Sequence, residues 1–263
     1  MKKKLKTNID IYISTFGEKI YGKKQKNCIP IEVGAAVRDD EHECKYSLRD
    51  DCGVNMSKEN PYYGELTAIY WMWKNTNSSY VGMYHYNKFL NISEDEAIRK
   101  FEEGYDFIVT KKGNFIDHAI PDEYSKFLKV MLDYDSKFYE TFNKIANPKG
   151  SGFFSGQNMF ITTRKHFDEY CSFLFPLLEE VRKSIGDSNE SPYNKRYCAF
   201  FAERLLTPWL VYNGLKFYEV SLLQVGSWQY QIMLRIYRSK VMFLLPKKLK
   251  KMMKKKVRRS SYM

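Results

Sequence analysis

The run Ser79–Tyr84 (SYVGMY), followed by His85-Tyr86-Asn87-Lys88, decides how the chain is read. Six mostly apolar residues between polar, turn-forming neighbours predict a short strand buried in a sheet, with its polar exit at residues 85–88. Upstream, Asn60-Pro61 supplies an N-cap side chain and a proline at N1, and predicts a helix to about Asn75. Its apolar stripe is Tyr62, Leu66, Ile69, Tyr70 and Trp73. Further upstream, Ile9–Phe16 (IDIYISTF) alternates and is β-branched, which suits an early strand, whereas 17–63 is polar and reads as loops with short elements. Downstream come a helix over Glu94–Glu103, a strand over Tyr105–Thr110 running into Lys111-Lys112-Gly113, and a helix over Pro121–Leu132. A Gly/Ser-rich loop at Gly150–Gly156 leads to a strand over Asn158–Thr162, and helices follow near Lys165–Ser184 and Lys195–Tyr212. Strands alternating with helices predict a single α/β sheet domain over residues 1–238.

The chain has 263 residues, 44% hydrophobic and 28% charged, enough for one compact domain with a real core. Its longest apolar runs, such as Val241–Pro246, fall far short of the roughly 20 residues that span a bilayer. Met1–Lys6 is basic like the start of an export signal, but Asp10 falls where the apolar region would lie, so export is not expected. Cys28, Cys44, Cys52, Cys171 and Cys198 are an odd count without C-x-x-C, which suits idle thiols in a reducing compartment.

The net charge of +12 is concentrated at the ends. Residues 240–263 hold ten Lys/Arg and no Asp/Glu, which leaves 33 basic against 31 acidic residues elsewhere. In 239–263, Leu245, Leu249, Met252, Met253 and Val257 recur at helical spacing among lysines. That pattern predicts a basic amphipathic helix attracted to an anionic membrane surface. A near-neutral body without a basic aromatic groove argues against nucleic acid as a partner.

No P-loop, G-x-G-x-x-G, G-x-S-x-G or H-E-x-x-H motif is present. The one D-x-D, Asp133-Tyr134-Asp135, follows residues with helical spacing and reads as a helix end rather than a cation site. His85 and Lys88, at a strand exit, suit either an anionic ligand or a surface ion pair, and Lys111-Lys112 would add positive potential on the same edge. Glu203-Arg204, inside the apolar segment Phe200–Leu206, is either a structural ion pair or a working carboxylate with its charge partner.

Four stretches in order carry a family resemblance. They are Ile29–Ala36 (IPIEVGAA), Asn55–Asn75 (NMSKENPYYGELTAIYWMWKN), Tyr80–Phe89 (YVGMYHYNKF), and Asn158–Ile161 (NMFI) with Phe200–Leu206 (FFAERLL). The chain resembles the bacterial capsular and exopolysaccharide glycosyltransferases catalogued as domain of unknown function 4422. The family's usual His-Tyr-Arg-Arg reads His85-Tyr86-Asn87-Lys88 here, and its Cys-Glu-Leu-Thr-Ala reads Gly64-Glu65-Leu-Thr-Ala68. The resemblance implies a fold like the GT-A glycosyltransferases and transfer of a hexose, galactofuranose or galactose, from a uridine-diphosphate sugar to a polyprenyl-linked glycan. It also implies a peripheral location on the cytoplasmic face of the cell membrane.

Such chemistry needs stabilisation of a departing diphosphate and a base for the acceptor hydroxyl. Cationic side chains, with His85, Lys88 and Lys112 as candidates, are expected to do the first without a metal, with manganese or magnesium at Asp133 and Asp135 as the alternative. Glu203 is the expected base, with Arg204 balancing charge. Thr15 is placed beside the nucleoside, Glu65 near sugar or ribose hydroxyls, and Asn158 as a hydrogen bonder to sugar. The competing expectation is a non-catalytic, glycosyltransferase-like partner of a polysaccharide synthase.

Overall fold

The computed structural model describes residues 9–17, 20, 28–38, 45–114, 121–146, 153–188 and 191–225. In chain order the strands are β1 (Ile9–Thr15), β2 (Cys28–Glu32), β3 (Tyr80–His85), β4 (Lys88–Leu90), β5 (Phe107–Thr110), β6 (Gly113–Asn114), β7 (Phe153–Phe154), β8 (Phe160–Thr163), β9 (Phe217–Val220) and β10 (Leu222–Gln224). The helices are α1 (Asn60–Tyr63), α2 (Leu66–Asn75), α3 (Glu94–Glu102), α4 (Pro121–Tyr134), α5 (Ser136–Ala146), α6 (Arg164–Ile185) and α7 (Tyr197–Tyr212). The basic tail over 239–263 lies outside the described residues. Among those described, no helix is long and apolar enough to cross a membrane.

The main sheet runs β2-β1-β3-β8-β5-β9, with β8 antiparallel to its neighbours and the others parallel. β4 turns back from the end of β3 and pairs with β10. Strand side chains alternate between two apolar layers. Tyr12, Val81, Met83, Phe107, Val109 and Phe160 meet α2 and α4–α7 on one face. Ile9, Ile11, Ile13, Tyr84, Ile108 and Ile161 meet α3 on the other. Burial on both faces is why these strands read as continuous apolar runs. Gly82 sits between Ile11 of β1 and Ile161 of β8, where a Cβ would come within 3.1 Å of the Ile161 side chain and the Phe160 carbonyl. α7 is apolar nearly all round and lies inside the helical layer.

The short elements of 17–63 include β2, an edge strand parallel to β1, and an edge tolerates its Pro30. One expectation is corrected. The single helix expected over 60–75 is two, because Gly64 adopts φ 53, ψ −131 and breaks it. Asn60 is not an N-cap acceptor. Its amide donates to the Gly64 carbonyl at 2.8 Å and to Thr67 Oγ1 at 3.1 Å, bracing the break. With the register changed, Leu66 and Ile69 of the expected stripe are buried together with Tyr63, Ala68, Trp71 and Met72, while Tyr62, Tyr70 and Trp73 lie at the cluster's edge.

The polar segment before α2 is held by buried carboxylates. Glu32 accepts from Lys45 N, Tyr46 N and Arg38 Nη1. Asp50, fully buried, accepts from Gly34 N at 2.8 Å, Ala35 N at 3.1 Å, Ser57 Oγ at 2.5 Å and Thr67 Oγ1 at 2.6 Å. Removing this acceptor strands the Gly34, Ala35 and Ser57 donors, each at a cost of about 1–3 kcal/mol before relaxation, while Thr67 keeps the Gly64 carbonyl at 3.1 Å. Asp50→Ala is expected to destabilise the protein by about 3–5 kcal/mol and to lower Tm by roughly 10 °C in a thermal melt. Asp133→Ala, at an exposed position, should stay within about 0.5 kcal/mol of the parent.

Candidate active site

A cleft opens beyond the carboxyl ends of the parallel strands β1 and β3, the edge where open α/β sheets bind ligands. It holds about 540 Å³ of empty space counting its open mouth. Four segments build its walls: the end of β1, the α1–α2 break, the β3–β4 turn and the start of α7.

At the end of β1, Ser14 and Phe16 line the cleft two residues apart, as strand alternation requires. Thr15, between them, faces the other way. It is fully buried, and its Oγ1 accepts from Gly17 N at 3.1 Å.

His85 closes β3 and pairs directly with Lys88 of β4, so both side chains leave the same face of the hairpin. His85 Nε2 lies 2.7 Å from the Gln157 carbonyl, which only accepts, so Nε2 carries the proton. Nδ1 is then left as an acceptor 3.4 Å from Ser14 Oγ. Burial lowers the His85 pKa below its usual value and Lys88 and Arg196 push the same way, against the charge of Glu65. The ring is therefore neutral at pH 7, and it is not one of the cleft's cations. Lys88 is only 6% exposed. Burial draws its pKa down, while Glu203 and Glu65 counter that by favouring the ammonium form.

The facing wall is α7. Arg196 just before it, Ala199 and Phe200 one turn on, and Glu203 a further turn along share one helical face. Glu203 is half-buried, and its pKa is pushed from the ordinary 4.5 to about 7. Burial is the largest cause and the charge of Glu65 the next, opposed by Lys88, Arg204 and Arg196. Arg204, one residue on, points away from the cleft. It is buried, donates to the Phe200 carbonyl at 2.9 Å, and lies 5.9 Å from the Tyr124 ring centre.

Glu65 enters from the helix break. Its Oε1 accepts from Asn158 Nδ2 at 2.8 Å, and the same amide lies 3.3 Å from the Ala199 carbonyl. Asn158 thus stands behind the wall and braces Glu65 against α7. Gln157 and Asn158 have φ of 75° and 49°, two successive left-handed residues that are not glycine. Such strain costs on the order of 1–3 kcal/mol per residue and persists where surrounding contacts impose it, here the bonds to His85 and Glu65.

The structure therefore gathers His85, Lys88, Glu65 and Glu203 in one cleft, with Asn158 behind them, and leaves Thr15, Lys112 and Arg204 off it. Lys112 sits at the β9 side of the sheet, its N–H bonded to Glu219 Oε1 at 2.9 Å and its ammonium 5.1 Å from the Phe217 ring centre. Ser14 and Arg196 are the polar cleft residues that sequence reasoning missed. The signal for Arg196 is its spacing of three, four and seven residues to Ala199, Phe200 and Glu203. Asp133 lies in the last turn of α4. Asp135 caps α5, with Oδ1 accepting from Phe138 N at 2.9 Å and Oδ2 from Tyr212 Oη at 3.0 Å. Both oxygens of Asp135 are thus engaged at the junction of α4 and α5. Among the described residues no group of three His, Cys, Asp or Glu side chains is arranged to hold a metal ion. The described cysteines Cys28, Cys52, Cys171 and Cys198 are all free thiols.

Comparison with known proteins adds two findings. The model of the family described as domain of unknown function (DUF4422) matches residues 10–214, a span that includes every residue lining the cleft. Among solved structures, the apo form of the WbbM bifunctional glycosyltransferase is similar, with a TM-score of 0.71 and 24% identity. The match covers 83% of this chain and 45% of that one, so this chain corresponds to less than half of that protein. At this identity the likeness is one of fold. No curated protein matches the chain.

The charge on Glu203 has a measurable cost. Because its folded pKa of about 7 lies above the ordinary 4.5, its contribution to stability is complete below about pH 4.5 and is lost as pH rises through 7. Glu203→Gln removes that loss. Its Tm should match the parent's at pH 4.5 and exceed it at pH 8, by an equivalent of about 2–3 kcal/mol.

Proposed function

We propose that this chain, which belongs to the DUF4422 family, is a glycosyltransferase that moves a hexosyl group from a uridine-diphosphate sugar to a hydroxyl of a lipid-linked glycan. One observation carries the reading. A carboxylate with a pKa of about 7, Glu203, shares the cleft with two buried or half-buried cations, Lys88 and Arg196. The fold likeness to the WbbM bifunctional glycosyltransferase and the sequence resemblance support it.

In the reaction, the bond between the anomeric carbon and the diphosphate oxygen breaks, and the acceptor oxygen bonds to that carbon. Glu203 takes the acceptor's proton. Its raised pKa makes it a stronger base than an ordinary glutamate while leaving a useful fraction ionised at neutral pH. Lys88 and Arg196 face the negative charge that grows on the departing diphosphate. In a water-poor cleft, charges already in place need little reorganisation. The guanidinium of Arg196 offers the two-pronged geometry that matches a phosphate, and Lys88 offers a point charge. Neutral His85, its Nε2–H held by Gln157, presents Nδ1 beside Ser14 as an acceptor for a sugar or ribose hydroxyl.

The reading includes side-chain cations in place of a metal, a galactofuranosyl or galactosyl donor, and attachment to the cytoplasmic face of the membrane through residues 239–263. Sequence resemblance and tail composition support these finer parts.

Turnover of labelled uridine-diphosphate galactose and galactofuranose with a polyprenyl-linked acceptor tests the proposal. Glu203→Gln should lower kcat by about 10²–10⁴-fold with little change in donor KM. In the parent, kcat/KM should rise with pH and level off above about 7, the value at which Glu203 ionises. Lys88→Met should lower kcat/KM by on the order of 10²-fold. Activity should persist in excess chelator, and loss restored by manganese would sink the metal-free part. Near-parental turnover by Glu203→Gln would sink the base assignment.

A further inference from the structure

Glu65 shares the cleft with Glu203 but is held far more tightly. It is only 7% exposed, its Oε1 is bonded to Asn158, and its carbonyl already accepts from Ala68 N at 3.1 Å at the start of α2. Gly64 before it and the left-handed Asn158 beyond it fix both ends of the contact. A side chain so constrained is poorly suited to follow a substrate through a reaction and well suited to hold a charge in one place.

We propose that Glu65 is a positioning residue whose carboxylate, held by Asn158 against α7 in the same cleft, favours the protonated form of Glu203. The role of Glu203 as base rests on the function proposed above; the coupling between the two carboxylates does not. Two carboxylates in one cleft resist ionising together, and Glu65 is the one whose position is clamped, by Asn158. Glu203 faces Glu65 from the α1–α2 break, His85 from β3, Lys88 from β4, and Arg196 and Arg204 from its own helical segment. On the other elements packed on α7, Arg182 of α6, Glu59 before α1 and Glu123 of α4 act on Cys198, earlier on the helix. The charged residues of α5, Lys137, Glu140 and Lys144, are exposed. Glu65 is the anionic member of that set, and the direction of the Glu203 shift agrees. The same charge favours the ammonium form of Lys88, so one residue supports both the base and a cation.

Titration of protein labelled with ¹³C at the glutamate carboxyls tests this without turnover, the Glu203 resonance being identified by its loss in Glu203→Gln. The parent midpoint should lie near 7. Glu65→Gln, which keeps shape and removes charge, should lower it by about one pH unit, and Glu65→Asp should restore most of the parent value. Asn158→Ala, which keeps the charge but frees it, should lower the midpoint by a smaller amount and serves if Glu65→Gln fails to fold. An unmoved midpoint in either folded variant overturns the proposal. A moved midpoint in a protein that transfers no sugar upholds the coupling and removes the transferase reading alone.

Discussion

One buried hydrogen-bond network, centred on the carboxylate of Asp50, fixes where the site can form. Asp50 gathers Gly34, Ala35, Ser57 and Thr67, and Thr67 joins it to Asn60 and the Gly64 carbonyl. These contacts hold the chain bent at Gly64 against a local sequence that would otherwise continue as one helix. A buried charge is tolerable only when its acceptor capacity is filled, so the network forms as a unit. The bend delivers Glu65 to the cleft, and the strained turn at Gln157-Asn158 meets it from the opposite side.

Within the cleft, charge is arranged rather than accumulated. Lys88 and Arg196 stand against Glu65 and Glu203, and His85 contributes hydrogen bonding without charge. Burial makes each of these interactions stronger than its surface equivalent. In the proposed reading, a diphosphate drawn to the two cations offsets their pull on Glu203, so the arrival of the donor strengthens the base.

The fold was legible where its determinants are local. β3, β5 and β8 are short, mostly apolar runs buried on both faces, β1 is β-branched and alternating, and α3, α6 and α7 carry clear helical spacing. β2 was not legible. Cys28-Ile-Pro-Ile-Glu32 carries a proline and ends in a glutamate whose burial is compensated by Arg38 and by Lys45 and Tyr46 from a later segment. The site shows the same division. Glu203 stood out as a carboxylate in an apolar helix, His85 and Lys88 as the polar exit of an apolar strand, and Glu65 through the family resemblance. Choosing Thr15 over Ser14 needed the parity of the strand, and pairing Arg204 with Glu203 overlooked the 100° between successive helical residues. Lys112 leaves β5 at the same sheet edge as His85, since β5 and β3 both run antiparallel to β8, but the intervening β8 sets it two strands away, beside β9, and off the cleft.

The β3–β4 hairpin has two linking residues, Tyr86 and Asn87, and both are bonded outward: Tyr86 N to the Ser14 carbonyl and the Asn87 carbonyl to Val225 N. Neither has the positive φ of the turns that keep strands paired, and β4 leaves β3 after the single pair His85–Lys88 to join β10. Gain or loss of one residue here would invert the facing of Lys88 and break the β10 pairing together. Descendants of this sequence are therefore free to exchange side chains at these positions but not to change the length of the link, and the spacing between imidazole and ammonium should outlast the identity of either.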